Sequence, residues 1–151
     1  MRIRQYVYFS VYSETATADE IAAYLDLPSD RTRVRGSRSA DPPRPPQHAW
    51  QLTCDSPGLT IDQQAAIVLD RLRKIEDRLV TIGGDLLGQG GGCYLQLVRF
   101  FDDEDGEEEA PPGVALQKLA GQHQLLGWHL DHDSLRFLAH VGAEIDADEY
   151  G

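Results

Sequence analysis

Two groups of side chains in this sequence have types and spacings that could do chemistry. His129, Asp131, His132 and Asp133 lie within five residues, and Asp146 and Asp148 follow at the two-residue spacing that puts both carboxylates on one face of a strand. His129 and Asp131 would share a face for the same reason. If the two segments were neighbouring strands, imidazole and carboxylate groups could converge on a divalent ion such as zinc or manganese. The spacing matches no specific metal motif, and each residue also has a plainer use. Asp131 or Asp133 can cap the next helix, and Asp146 and Asp148 can line a solvated sheet face. No cofactor is expected and no residue is assigned a catalytic role.

The second group is basic. Arg31, Arg33 and Arg35 alternate, so a strand here carries three guanidinium groups on one face, with Arg38 and Arg44 close behind. Arginine clusters recognise carboxylates or phosphates by paired hydrogen bonds, and Trp50 or a tyrosine could add stacking. The competing reading is an edge strand whose charges keep it from pairing with other sheets.

Other local patterns fail on inspection. The glycines of Gly88–Gly92 follow a helix pattern, precede a strand pattern and have no lysine, whereas a phosphate loop runs from strand to helix. Asp103-x-Asp105-Gly106 resembles part of a calcium loop, but Phe101 and Pro112 occupy its first and twelfth positions. Pro42-x-x-Pro45 fits a proline-ligand pattern too short to be specific. No nucleophile elbow, His-Glu-x-x-His helix or Cys-His pairing is present, which lowers the weight of an enzymatic reading without removing it.

The elements that must position these groups follow from periodicity. Ile3, Val7, Phe9 and Val11 alternate with Tyr6, Tyr8 and Tyr12, a strand pattern that also argues against a leader peptide. Thr17 with Glu20 forms a capping box for a helix that Pro28 should stop. Arg31–Arg35 and Trp50–Cys54 read as strands. Between them residues 36–47 carry four prolines and should form an exposed, partly polyproline loop. Thr60 with Gln63 opens a second capping box. Ile61, Ala65, Val68, Leu72, Ile75, Leu79 and Ile82 then step by four and three, the stripe of one long helix from Thr60 to Ile82 ended by Gly83-Gly84. Tyr94–Phe101 is a strand, Val114–Leu119 a short strand or turn, Leu126–Leu130 a strand, Asp133–Val141 a helix and Glu144–Tyr150 a last strand. Cys54 and Cys93 fall inside apolar strands and read as buried free thiols.

The 151 residues, 26% charged and 41% hydrophobic, suit one globular domain spanning 1–151. The net charge is −11, and seven acids lie in Asp102–Glu109, within a second exposed loop at 102–113. That balance repels phosphate backbones and anionic lipid, so neither a nucleic acid nor a membrane is an expected partner. With two cysteines and no long apolar run, a cytoplasmic location is expected.

Several of these patterns together resemble the bacterial family called domain of unknown function 4279. They are Ile21-x-x-Tyr24-Leu25-Asp26-Leu27-Pro28-Ser29-Asp30-Arg31-Thr32, Gly36, Trp50-x-Leu52 and Leu135-x-x-Leu138-Ala139-x-x-Gly142-Ala143-x-Ile145-Asp146-x-Asp148-x-Tyr150. The likeness spans nearly the whole chain. It implies no established activity, cofactor or catalytic residue, and the proline-rich and acidic loops stand outside it.

The fold expected is α+β: a ferredoxin-like (βαββαβ) antiparallel sheet with the long helix on one face, extended by a C-terminal strand-helix-strand unit. The function expected is non-enzymatic binding of another protein, of which immunity or antitoxin roles are examples, by a monomer or homodimer, with Arg31, Arg33, Arg35 and Trp50 as contact residues. The alternative is a small-molecule or divalent-metal site, enzymatic or not, built from His129, Asp131, Asp146 and Asp148.

Overall fold

Alternating apolar and aromatic residues at the start of the chain form the longest strand of the sheet. The computed structural model describes residues 2–102, 116–117 and 127–151. In chain order its elements are β1 (Arg2–Ser13), α1 (Ala18–Leu25), β2 (Arg31–Arg33), β3 (Ser39–Ala40), β4 (Pro43–Arg44), β5 (His48–Cys54), α2 (Ile61–Arg73), α3 (Glu76–Asp85), β6 (Gly92–Asp102), β7 (Leu116–Gln117), α4 (His132–His140) and β8 (Glu144–Tyr150). The architecture is α+β, and the main sheet runs β2-β5-β1-β6-β8, with β7 pairing the first residues of β1. Neighbours from β2 to β6 are antiparallel, while β8 joins β6 in parallel, so the sheet is mixed rather than purely antiparallel.

All four helices pack on one side. Val7, Phe9 and Val11 of β1, Trp50 and Leu52 of β5, and Leu95 and Leu97 of β6 form a single core with Ile21, Leu25, Val68, Leu72, Leu79, Phe137 and Leu138. Both capping boxes form: Thr17 accepts from the Glu20 N–H and Thr60 from the Gln63 N–H, each reciprocated by the third residue's side chain. The first helix ends one turn before Pro28, because Asp26 takes a left-handed conformation at φ 53° and closes it there.

The apolar stripe from Ile61 to Ile82 is buried throughout, but it belongs to two helices rather than one. Ile75 leaves helical geometry (φ −121°, ψ 19°), and its N–H bonds to the Leu72 carbonyl. The bend swings α3 onto the end of α1. There Arg78 donates to the Leu25 carbonyl at 2.8 Å and lies 3.3 Å from the Asp26 carboxylate. Gly83 and Gly84 do not stop the helix either. α3 runs on through them, which lets Leu87 enter the core and present its carbonyl to the buried Ser13 hydroxyl at 2.8 Å. That tertiary anchor outweighs the roughly 1 kcal/mol that each glycine costs a helix.

Two further segments differ from the pattern-based expectation. The proline-rich stretch folds as a small hairpin of β3 and β4. Gly36 and Arg38 supply the N–H groups while Pro45 and Arg44 supply the carbonyls, so prolines serve as acceptors in a ladder where they cannot donate. Gly127–Leu130 is irregular rather than a strand. The His129 N–H instead donates to the Asp62 carboxylate at 2.7 Å, tying the segment to the start of α2. The C-terminal unit is therefore a helix and a strand among the described residues. Leu126, the acidic segment 103–113 with its Asp103-x-Asp105-Gly106 pattern, and all of Val114–Leu119 except 116–117 lie outside them. No helix among the described residues is long and apolar enough to cross a membrane.

A Cβ added at Gly83 or Gly84 would meet nothing within 4 Å, and neither residue has a positive φ. Gly83→Ala and Gly84→Ala are each expected to stabilise the protein by about 0.5–1 kcal/mol in urea melts. A left-handed stop at these positions would reverse the sign.

Candidate functional site

Strand alternation gives this sheet a second face, on which no helix packs among the described residues, although Ser10, Gln51, Gln96 and Val98 on it are buried. On β1 that face carries Arg4, Tyr6, Tyr8, Ser10 and Tyr12, and on β6 it carries Tyr94, Gln96, Val98 and Phe100, opposite one another by register. The rings form one continuous belt. Tyr12 lies 5.7 Å from Tyr94, Tyr94 6.0 Å from Tyr8 edge to face, and Tyr8 6.2 Å from Tyr6. Tyr6 then lies 6.5 Å from Phe100, which stacks on Tyr150 of β8 at 4.8 Å. The Arg4 guanidinium caps Phe100 at 4.4 Å. Each ring supports the next at separations where aromatic pairs attract, so the belt is held rigid before anything binds. Burial and the adjacent Tyr94 hydroxyl push the Tyr8 phenol above its usual range, keeping it a neutral hydrogen-bonding group at physiological pH.

One edge of the belt is basic. Arg31 and Arg33 stand opposite Gln51 and Ala49, so they share the aromatic face, while Thr32 stands opposite Trp50. A three-residue edge strand has few ladder bonds, and Asp30 adds the missing restraint. Its N–H donates to the Gln51 carbonyl at 2.8 Å, its Oδ2 accepts from the Thr53 N–H at 2.8 Å, and its carboxylate takes both terminal nitrogens of Arg71 from α2. The edge that carries the arginines is thereby pinned to the helix layer. Arg31 approaches Asp55 at 3.4 Å, with both side chains well exposed. Arg35 falls beyond the strand: its N–H donates to His48 Nδ1 and its guanidinium to the Glu14 carbonyl at 3.1 Å, so it does not extend the row.

The opposite edge is acidic. Glu144, Asp146, Asp148 and Tyr150 pair with Tyr94, Gln96, Val98 and Phe100 and point the same way. Gln96 donates to Asp148 at 3.2 Å, and the Asp148 charge is the main cause of a raised Tyr150 phenol. Across the face, basic, aromatic and acidic zones follow in order over about 19 Å, four strand spacings.

Of the residues singled out in the sequence, Arg31, Arg33, Asp146 and Asp148 come to this one face. Trp50 does not. It is fully buried on the helix side, where its Nε1 donates to the Leu27 carbonyl at 2.9 Å, so it has no ring surface to offer a partner. His129 and Asp131 do not join Asp146 and Asp148 either. His129 is tied by its backbone to α2, and Asp131 caps α4 by accepting from the Ser134 N–H at 2.7 Å, on the helix side of the sheet. Among the described residues no group of three or more His, Cys, Asp or Glu side chains is placed to hold a metal ion. The tyrosine belt is what the sequence reading missed as a surface. Its signal was there in the second phase of the same alternation, aromatic at Tyr6, Tyr8, Tyr12, Tyr94 and Phe100.

Comparison with protein families matches residues 3–151 to the domain of unknown function DUF4279. The chain belongs to that family. Searches among curated proteins and among solved structures give no match. In this DUF4279 domain both cysteines are buried and unpaired, and burial pushes the Cys93 thiol up to about 11, which makes it a poor nucleophile. Among the described residues, open depressions on the helix side include one of about 540 Å³ at the α2–α3 bend and one of about 650 Å³ between that bend and α4. Their arginines are already engaged: Arg71 with Asp30, Arg78 with α1, and Arg73 over the Phe137 ring at 5.1 Å.

The Arg71 hydrogen bonds hold the Asp30 carboxyl below the usual carboxylate range. A lowered folded value means the contact contributes stability above the unfolded value near 3.9 and loses it as pH falls through the folded one. Asp30→Asn is expected to cost about 1 kcal/mol or less at pH 7, as partly exposed pairs do, and progressively less as pH falls through the lowered folded value of Asp30. The same variant should speed hydrogen exchange at the Thr53 amide while leaving core amides of β1 unchanged.

Proposed function

We propose that this DUF4279 domain is a non-enzymatic protein-binding module whose binding surface is the face of its sheet opposite the helices. The observation that carries the reading is the aromatic belt itself, set on a rigid sheet between a basic and an acidic edge. Tyrosine and arginine are the residues most enriched where proteins meet, because they bring large contact area with few rotatable bonds and a polar tip that tolerates water in the free state. The acidic edge favours a protein over a nucleic acid, since a phosphate backbone crossing the face would meet Glu144, Asp146 and Asp148.

We also take the stretch from β1 to β6 as ferredoxin-like. The order β2-β5-β1-β6, with every neighbour antiparallel and helices between β1 and β2 and between β5 and β6, supports that assignment. β8 then widens the same face by one strand and brings the acidic residues to it.

A photo-crosslinking amino acid in place of Tyr6 is expected to give protein adducts in the native cell. The same group in place of Tyr24, exposed on α1 behind the sheet, is the control expected to give none. Absence of any protein adduct from position 6 would overturn the reading.

A further inference from the structure

We infer that the occupant of this face is a second copy of the same chain, packed sheet against sheet about a two-fold axis parallel to β1. The inference rests on the binding-face reading above and names its partner. It comes from symmetry that the strand order already contains. β1 is the middle of the five-strand path β2-β5-β1-β6-β8. A two-fold rotation along β1 therefore sets β2 against β8, β5 against β6, and β1 against its own copy. The alternative in-plane axis, at right angles to the strands, would set arginine against arginine and acid against acid.

The register makes the match specific along the strands as well as across them. Arg31 pairs with Gln51, Gln51 with Ser10, Ser10 with Tyr94, and Tyr94 with Glu144, so these five residues form one level row across the sheet. The rotation lays this row on its own reverse. The exposed ends of the row meet, Arg31 against Glu144, while Gln51 and Ser10 between them are buried and bonded to each other within each copy, so the rings beside them make the contact at the centre. Packed sheets cross at about 30°, which shifts strands two positions from the axis by about 5 Å. That is within the reach of an arginine and brings Asp146 into range beside Glu144. Each dimer would make this basic-to-acidic contact twice, as an isologous interface must.

The area is enough for a modest interface. Between the levels of Arg4 and Tyr12 the sheet has nine residues each on β1 and β6, seven on β8, six on β5 and three on β2, which at strand spacing cover on the order of 550 Å² per copy. A standard stable interface buries about 800 Å² per partner, and the rim side chains supply the difference. The net charge of −11 on each copy does not forbid contact. Charges farther apart than about 8 Å are largely screened at physiological salt.

Sedimentation across a concentration series tests this. The wild-type chain is expected to run as a dimer that dissociates on dilution and in high salt. Arg31→Glu with Arg33→Glu, and separately Glu144→Arg with Asp146→Arg, should each weaken dimerisation at least about tenfold by setting like charges together. All four residues are exposed, and unchanged circular dichroism would show that both variants fold. Mixing the two variants should restore a dimer, because every contact across the two-fold is then again between opposite charges. A wild-type monomer at all concentrations, or a dimer indifferent to both reversals, would overturn the inference. The crosslinking result separates the two claims. A position-6 adduct of twice the chain mass supports both, an adduct to a different protein keeps the binding face and removes the dimer, and no protein adduct removes both.

Discussion

The central strand has to satisfy two surfaces at once, and the rest of the molecule is arranged around that demand. β1 is paired with β6 along most of its length and with β5 along half of it, so its register sets theirs. A slip of one residue would turn Val7, Phe9 and Val11 outward and drive Tyr6, Tyr8 and Tyr12 into the helix layer. Buried without partners, each phenol would cost a few kcal/mol. The apolar phase and the aromatic phase of one strand therefore exclude the same error from opposite sides.

Polar anchors at both ends of β1 fix that register further. At one end the Gln5 amide donates to the Leu59 carbonyl at 2.7 Å, and the buried Gln64 donates back to the Gln5 and Ser56 carbonyls. At the other end the Ser13 hydroxyl accepts from the Thr15 and Ala16 amides and donates to Leu87. One hydroxyl thus closes the turn into α1 and receives the chain leaving α3. These contacts join residues far apart in sequence, and no local pattern announces them.

That difference explains what could be read in advance. Strand alternation, the two capping boxes, the buried stripe and the C-terminal helix and strand are local or periodic signals, and the structure holds them within a residue or two. The helix break at Ile75 and the passage of α3 through Gly83 and Gly84 depend on partners elsewhere, Leu25 and Asp26 in one case and Ser13 in the other. The irregular Gly127–Leu130 segment is the same kind of case, since Asp62 decides where His129 lies. The hairpin of the proline-rich segment is local, but its prolines hid it, because Pro45 joins the ladder only as an acceptor. For the site, residue types were legible but not their assembly. The arginines and aspartates were noticed as separate groups, because only the strand order shows that β2 and β8 bound the same face. Trp50 misled for a simple reason: it stands opposite Thr32, between Arg31 and Arg33, and so points to the other side of the sheet from both arginines.

The composition of the aromatic face also bears on how it survives without a partner. A belt of phenylalanines of equal area would invite any sheet to pack on it. Five of its six rings instead carry hydroxyls, and the belt ends at charges of opposite sign on its two edges. Hydroxyls keep the free face wetted, while the charged edges penalise every alignment that sets like signs together. On the proposed binding reading, the rings would supply affinity and the edges selectivity. Asp30 steadies the basic edge, because it ties the start of β2 both to β5 and to α2. A surface whose polarity is held this firmly can distinguish a partner by orientation as well as by shape.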